Sequence, residues 1–429
     1  MINFLLIVLL ASLFIFDWLF FVMGVGGRIM TWIPEIIAIF IAISIPFRTA
    51  TDKRIRLPLK YSILLIIYLL HILIGFFLNQ VAGFTMLAGL RIYTKFLPIF
   101  LIPLIYPFTE SAFKKIILWV FALSMLQFPV VVWQRFFKYA TSLSGDPMGG
   151  TLGMSTSGVL AIYLIIIISF LVAFYFKEEI SLPVFLISSA AAFIPITLNE
   201  TKISFILLPF SFIFPSIFIR GKRDVILKVM LVLFLFGLSF IALKGIYDHF
   251  SKQRWGYGIT GFVTNSRTLE KYNKSRLLPI RNAFVKASEE PRFVFFGRGA
   301  GNASEGFTRE LSGKYVEEGK RFGVGITFVK LMWEIGMMGT IIFYLFLFFI
   351  FWDAVKFCKQ DGVSGAFALG MVSCTFFFAI STIYTFTLDS NVLIFMFFLA
   401  AGQLVSIDPD FEKATLEVTE EYEAISSTS

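Results

Sequence analysis

Cysteine and histidine are both scarce in this chain, with two of each among 429 residues. Cys358 and Cys374 lie near the predicted cytoplasmic ends of spans, where we expect them to fill space rather than to form a disulfide. No metal-ligand spacing, Ser-His-Asp pattern or metalloprotease pattern occurs, and neither does a nucleotide-binding pattern. The sequence therefore predicts no metal and no other cofactor.

Charged residues are also few, at 15% of the chain, whereas 58% of the residues are hydrophobic. A soluble protein of this length could not bury so much apolar surface. Apolar runs of about 20 residues recur along the chain, which is the length at which a helix crosses a bilayer. Because these runs lack the period-2 alternation of barrel strands, we expect an all-α membrane protein.

The first apolar run, Ile2 to Phe21, has no basic residue before it and no small-residue cleavage site after it. We therefore expect a retained first span rather than a cleaved signal peptide. About twelve spans are predicted, near residues 2–22, 32–47, 59–78, 90–107, 116–136, 158–176, 182–198, 203–219, 225–246, 327–352, 364–387 and 391–406. They divide the chain into a nine-helix membrane portion (1–246), a large, partly helical outward loop (247–326), a three-helix membrane portion (327–406) and an acidic tail (407–429).

The distribution of Lys and Arg predicts the orientation. With the N-terminus inside, thirteen of these residues lie on cytoplasmic connections and six on the short outward ones. This is the bias of the positive-inside rule, so both termini are predicted to be cytoplasmic. Since basic residues in a membrane protein first set topology, the net charge of +9 does not indicate a nucleic-acid partner. The outward six are Arg28, Arg91, Lys95, Arg135, Lys138 and Lys202.

The predicted outward loop carries 14 Lys and Arg residues against 8 Asp and Glu, a net charge of +6. Long loops cross the membrane regardless of their charge, so the loop could be an ordinary solvated segment. It could also form, with the outward cations, a basic basin for an anionic substrate. Both interpretations stay open on charge alone.

Ionisable residues inside predicted spans are costly and often functional. Glu334, in the tenth span, could have a structural role, such as pairing with a cation, or a catalytic one. Asp17 and Glu35 are similar cases in the first two spans. His71 is expected to be a packed or hydrogen-bonded residue of the third span. His249, just past the ninth, is a candidate proton acceptor or an ordinary interfacial histidine.

The large loop contains three short motifs in order: Ser275–Phe284, in which an Arg begins an amphipathic helix, then Glu290-Pro291, then Gly297–Gly301. The glycine stretch alone lacks the Lys-Ser/Thr of a P-loop, so a turn with positive φ is favoured over a phosphate cradle. In this order, however, the motifs resemble the loop signature of O-antigen polymerases and O-antigen ligases. The span after the loop, with Glu334, and Asn199–Ser204 at the start of the eighth span are similar to further motifs of that family.

The chain departs from the family pattern at two positions. Lys202 stands where the family often has Arg, which replaces a bidentate phosphate contact by a point charge. Gly325 stands where the ligases carry a His nine residues before the Glu of the following span. The missing histidine favours a polymerase over a ligase.

The resemblance implies a glycosyltransferase of the bacterial cytoplasmic (inner) membrane that polymerises surface polysaccharide repeats. Its partners would be a polyprenyl-diphosphate-linked oligosaccharide, membrane lipid, a chain-length regulator and other polysaccharide assembly proteins. Arg276 would be the main group to stabilise the leaving diphosphate, and Glu334 or His249 would deprotonate the acceptor hydroxyl. Arg135, Lys202 and Arg91 would line the diphosphate cavity, with Arg281, Arg298 and Arg321 as second choices. The alternatives are a ligase, a lipid-linked oligosaccharide flippase or other transporter, and a non-enzymatic scaffold.

Overall fold

The computed structural model describes residues 2–52, 57–106, 108–142, 145–219, 228–235, 237, 238, 240–242, 244, 245, 248, 277–287, 290–306 and 311–407. Within these residues the chain contains helices and loops and no strand. The α-helices are α1 Ile2–Asp17, α2 Ile33–Asp52, α3 Leu59–Leu78, α4 Gly83–Thr94, α5 Leu97–Ile105, α6 Glu110–Met125, α7 Gln127–Trp133, α8 Ser157–Phe176, α9 Leu182–Leu198, α10 Ser204–Phe218, α11 Leu277–Ala287, α12 Pro291–Phe296, α13 Val316–Phe322, α14 Thr327–Phe357, α15 Gly362–Tyr384 and α16 Asn391–Ser406.

Six helical segments are long and apolar enough to cross a membrane, and the bent pair α4 and α5 can form a seventh span. Five shorter apolar helices lie at Met30–Ile45, Leu182–Leu198, Ser204–Phe218, Lys228–Ala242 and Asn391–Ser406. The structure thus confirms a multi-pass α-helical membrane protein. The count of twelve crossings, and the side of the membrane on which each loop lies, stay predictions.

The predicted fourth span is broken into α4 and α5, which meet at an angle of 45°. Pro98 is the second residue of α5, where a helix tolerates the missing N–H. In a continuous helix its ring would clash with the carbonyl of Thr94, the last residue of α4. The break leaves Lys95 between the two helices, buried in the bundle.

Helix α8 is the centre of the bundle, and all but two of its 20 residues are buried inside the protein. It packs on α9, α10 and α15, and apolar side chains occupy all of its faces. A helix that is hydrophobic all round is expected to be enclosed by other helices rather than to face lipid on one side. In contrast, large apolar side chains on α3 and α14 remain exposed, as lipid-facing helices require.

The predicted outward and cytoplasmic connections lie at opposite ends of this bundle. At one end, Asn199 donates to the carbonyl of Ser157 at 3.0 Å, and the amide of Thr327 donates to the carbonyl of Thr385 at 3.0 Å. We call this end the loop face. At the other end, Lys177 donates to the carbonyl of Gln360 at 2.6 Å. The alternation of loops that the positive-inside rule predicts is therefore consistent with the fold.

The far end of the bundle is held by the carboxylate of Asp353, which is 3% exposed. It accepts hydrogen bonds from the ammonium of Lys60 and, at 2.6 Å, from the hydroxyl of Tyr61. Both donors belong to the first turn of α3. The interaction therefore joins α3 to the last turns of α14.

Replacing Asp353 by Ala should lower the free energy of unfolding by about 3 kcal/mol, because one partner of a largely buried ion pair is removed. Thermal unfolding in detergent, followed by tryptophan fluorescence, measures the effect. The control is Asp361→Ala, which removes an exposed carboxylate eight residues further along the chain. Equal unfolding midpoints for the two variants would show that the ion pair does not hold α3 to α14.

Candidate functional site

The glycine-rich stretch of the large loop forms a tight turn. Gly297, Gly299 and Gly301 have φ angles of 64°, 89° and 84°. Such angles are in the left-handed region that glycine adopts without steric cost. The prediction of a turn with positive φ is thus confirmed. We call residues 297–306, which follow α12, the glycine loop.

The glycine loop is inserted between helices of the bundle. A Cβ atom on Gly301 would lie 2.6 Å from the carbonyl oxygen of Thr85 and 2.9 Å from the backbone of Gly89. A Cβ atom on Gly299 would lie 2.5 Å from the side chain of Val81. The glycines are therefore needed for the close approach of the loop to α4 and to the turn between α3 and α4, as well as for its backbone angles.

Helix α14 is sharply kinked at Gly336, where φ is 69° and ψ is −175°. The predicted tenth span is continuous, but the kink separates a buried helical segment, Thr327–Ile335, from the remainder of α14. His71 of α3 donates a hydrogen bond from Nε2 to the carbonyl oxygen of Ile335 at 2.8 Å, so this oxygen beside the kink has a hydrogen-bond donor. The expectation of a hydrogen-bonded His71 is confirmed. The kink accommodates the loop, because a Cβ atom on Gly297 would lie 2.6 Å from the amide nitrogen of Gly336.

Glu334, one residue before Ile335, is fully buried. One carboxylate oxygen accepts from the amide of Gly301 at 3.0 Å and from the hydroxyl of Tyr93 at 2.9 Å. The other accepts from the amide of Ala303 at 3.0 Å. Among the described residues no Lys or Arg forms an ion pair with Glu334, so the charge is stabilised by amides and a phenol. Its structural role is to hold the glycine loop against α4 and α14.

Lys330, one turn before Glu334, is buried on the same short segment. Its ammonium donates to the carboxylate of Asp389 at 2.7 Å, in the connection between α15 and α16. The hydroxyl of Thr327 accepts from the amide of Leu388 in the same connection. The segment Thr327–Ile335 is therefore fixed at both ends, by the connection at its start and by the glycine loop near the kink.

A second charged cluster lies where α2 meets α4. The carboxylate of Glu35 contacts Arg91 at 2.9 Å and Lys95 at 3.1 Å. Lys95 also donates to the side-chain oxygen of Asn391 at 2.7 Å, and the guanidinium of Arg91 lies 4.2 Å from the ring of Trp32. Two cations share one anion, so this trio has a net positive charge. Glu35 therefore holds both cations in place, a role that its position in a predicted span did not indicate.

A cavity of about 270 Å³ lies between α4 and the glycine loop. Arg91 and Trp32 form one side, and Gly301, Ser304 and Glu305 form the other. The hydroxyl of Ser304 is buried and has no hydrogen-bond partner among the described residues. The side chain of Arg91 is 34% exposed, so its guanidinium can donate hydrogen bonds to an anionic group that enters the cavity.

The cavity also borders the apolar exterior of the bundle. Leu87 of α4 is one of its lining residues and is 58% exposed. Phe84, one turn earlier on α4, is 66% exposed. The surface beside the polar cavity is thus apolar and suited to hydrocarbon.

Arg298 does not line this cavity. Its guanidinium lies 4.0 Å from the ring of Trp333 and 4.7 Å from that of Phe293, and it pairs with Glu318 at 3.5 Å. Its backbone amide donates to the carbonyl of Trp333 at 2.7 Å. Arg298 therefore connects the glycine loop to α12, α13 and α14 through its side chain and backbone.

Arg135 and Lys202 belong to another part of the loop face. Arg135 lies in a π-helical segment after α7 and pairs with Glu200 at 3.0 Å, in the turn between α9 and α10. Lys202 lies on the exposed surface of that turn. Neither residue is among those that line the cavity beside Arg91, so a diphosphate cavity shared by the three cations stays a prediction.

The other predicted site residues are not part of this arrangement. Arg281 is exposed on α11, and the backbone of Arg321 is part of α13 while its side chain is outside the described atoms. Arg276 and His249 fall outside the described residues. Sequence reasoning missed Trp32, Tyr93 and Ser304. Tyr93 stands two residues from Arg91, but no pattern in the chain relates it to Glu334.

Gly301→Ala should destabilise the docked loop by at least about 1 kcal/mol, because alanine is strained at a φ of 84° and its Cβ atom would contact Thr85. Gly325→Ala is the matched control, since no atom lies within 4 Å of the added Cβ and its φ is not positive. Thermal unfolding should show a lower midpoint for Gly301→Ala alone. The same loss in both variants would contradict the close packing of the loop.

Glu334→Gln should release the glycine loop, because the amide group of glutamine cannot accept from both Gly301 and Ala303. The expected cost is about 1–3 kcal/mol, whereas Tyr93→Phe, which removes a single donor, should cost about 1 kcal/mol. Hydrogen exchange of the 297–306 segment measures both effects. Exchange should accelerate strongly in Glu334→Gln and slightly in Tyr93→Phe, and unchanged exchange in Glu334→Gln would disprove the anchoring role.

No protein-family model matches the chain, and no curated protein matches it either.

Proposed function

We propose that the chain is a polymerase of bacterial surface polysaccharide repeats, O-antigen or exopolysaccharide. It would transfer glycan from a polyprenyl-diphosphate donor to a sugar hydroxyl of the acceptor, outside the cytoplasmic membrane. The observation that carries the proposal is the polar cavity with Arg91 at the loop face, beside exposed apolar residues of a multi-pass membrane protein.

The Arg91 side of the cavity suits the head of an anionic amphiphile, since Glu305, the one acidic residue among the described lining residues, is paired with Lys320 at 3.4 Å. Arg91 is held by Glu35 and stacked near Trp32, so its guanidinium is oriented before a ligand arrives. Its side chain remains 34% exposed, in contrast to the buried Lys95 of the same cluster. A diphosphate could bind at Arg91 while its hydrocarbon chain runs over Leu87 and Phe84 into the bilayer.

The proposed reaction places its main demand on the leaving group. The acceptor hydroxyl attacks the anomeric carbon, the bond from that carbon to the diphosphate oxygen breaks, and the hydroxyl proton passes to a base. Cations fixed near the diphosphate stabilise its growing negative charge. We assign this task to Arg276 first, as the family resemblance implies, and to Arg91, because of its position in the cavity.

The candidate base in this proposal is His249. Glu334 accepts three hydrogen bonds and is fully buried, so it supports the site by holding the glycine loop. Arg135 and Lys202 would act from their separate cluster, for example on a more distant part of the donor or the acceptor glycan. Gly325, in place of the ligase histidine, favours polymerisation over ligation. A chain-length regulator and other polysaccharide assembly proteins would be the partners of such an enzyme.

A transporter or flippase of lipid-linked oligosaccharide is the second candidate. The observation that favours it is a set of ion pairs that joins α2 to α4 and α14 to the connection before α16. Glu35, Lys95 and Lys330 are buried, and Lys330 pairs with Asp389, whose side chain is exposed. Ionisable networks inside membrane proteins often mark substrate or ion pathways. A flippase would move the lipid-linked glycan across the membrane without changing its length.

Purified protein incubated with polyprenyl-diphosphate-linked repeats should produce a ladder of longer glycans on a gel. Arg91→Ala should reduce the rate of elongation at least tenfold, because a fixed cation beside the leaving diphosphate is lost, and Arg91→Lys should restore part of it. Arg292→Ala, which removes an exposed arginine outside the cavity, is the control.

Arg276→Ala tests the residue implied by the family resemblance in the same assay. If both single variants, Arg276→Ala and Arg91→Ala, elongate the glycan at the wild-type rate, the mechanism is rejected. If wild-type protein in liposomes moves the lipid-linked repeat between leaflets but yields no ladder, the transporter is correct instead.

A further inference from the structure

Helix α11 presents two different faces. Ala283 is fully buried and Ile280 is partly buried, and both pack in the same cluster as Val329 and Met332 of α14. Phe284 and Val285 are 46% and 57% exposed, and Arg281 is also exposed. Positions 281, 284 and 285 have the i, i+3, i+4 spacing that places residues on one side of a helix. One face thus combines a cation with two large apolar side chains.

Aromatic contacts connect this face to the membrane-spanning part of α14. The ring of Phe284 lies 6.0 Å from that of Phe328, which lies 6.1 Å from the ring of Tyr344. Tyr344 shares a hydrogen bond with Thr382, two residues before the end of α15. Helix α11 therefore lies next to α14, near the level at which α15 ends.

The surface of α14 around Tyr344 is apolar and exposed. Met338, Ile341, Leu345 and Phe348 are between 41% and 51% exposed, with the spacing of a single helical stripe. In a multi-pass membrane protein such a stripe faces hydrocarbon. The exposed face of α11 continues this surface toward the loop face.

We propose that α11 is an interfacial helix that binds the phospholipid bilayer. Phe284 and Val285 would insert among the acyl chains next to the stripe of α14, and Arg281 would contact the phosphate of a lipid headgroup. An amphipathic helix with apolar and aromatic residues beside a cation has the composition of helices that lie in the plane of the membrane surface. The inference does not depend on the proposed glycosyl transfer.

Lipid contact also explains why the exposed apolar pair is located next to Arg281. Arginine can bind phosphate oxygens with two parallel hydrogen bonds, and the phosphate layer lies just outside the hydrocarbon. The bilayer supplies both kinds of partner side by side, acyl chains for Phe284 and Val285 and phosphate groups for Arg281. Arg281 therefore belongs to the membrane surface in this proposal and not to the substrate cavity.

Site-directed spin labelling of the full chain in phospholipid vesicles tests the proposal. Cys358 and Cys374 are first replaced by Ala, and a nitroxide is attached to Phe284→Cys. Collisions with oxygen, which concentrates in hydrocarbon, are compared with collisions with a water-soluble nickel chelate. The lipid-facing control is Ile341→Cys on α14, and the water-facing control is Glu317→Cys on α13, whose side chain is 92% exposed.

The nitroxide at position 284 should behave like the one at position 341. Its collision rate with oxygen should be severalfold higher than its collision rate with the nickel chelate. Preferential collision with nickel, as at Glu317, would show that α11 is in water and would overturn the proposal. Low collision rates with both reagents would show that protein covers the face, which also overturns it. Val285→Cys repeats the measurement at an independent position if Phe284→Cys does not fold.

Discussion

The loop face is organised by one buried carboxylate. Glu334 accepts hydrogen bonds from two backbone amides of the glycine loop and from the phenol of Tyr93, so it joins the loop, α4 and α14 at one point. Irregular backbone within a helical bundle needs internal hydrogen-bond partners, because hydrocarbon supplies none. The kink at Gly336 and the glycines of the loop make this approach possible, and the polar cavity beside Arg91 exists only while the loop is docked.

Breaks in helices and buried charges occur together in this protein. The break between α4 and α5 leaves Lys95 inside the bundle, where Glu35 and Asn391 bind it. The kink in α14 lies two residues after Glu334, and His71 satisfies a carbonyl beside it. A buried charge is tolerated only when it is paired or hydrogen-bonded, and the irregular backbone supplies the geometry for those contacts.

Local features of the chain were predictable, and distant contacts were not. Helix positions follow from apolar runs, and positive φ at Gly301 follows from the spacing of the glycines, because both depend on neighbouring residues. The bond from Tyr93 to Glu334 joins residues 241 positions apart, and no sequence pattern encodes it. Likewise, charge alone could not show that Arg91 lines the cavity whereas Arg298 stacks on Trp333.

The anchoring of the glycine loop by a later residue has a consequence for biosynthesis. Residues 297–306 leave the ribosome before Glu334, and their amides have no carboxylate to bind until α14 has been made and inserted. Tyr93, by contrast, is present from an early stage. Assembly of the loop face is therefore a late event, completed only when the chain beyond residue 334 has entered the membrane, so truncation before that residue would leave the cavity unformed.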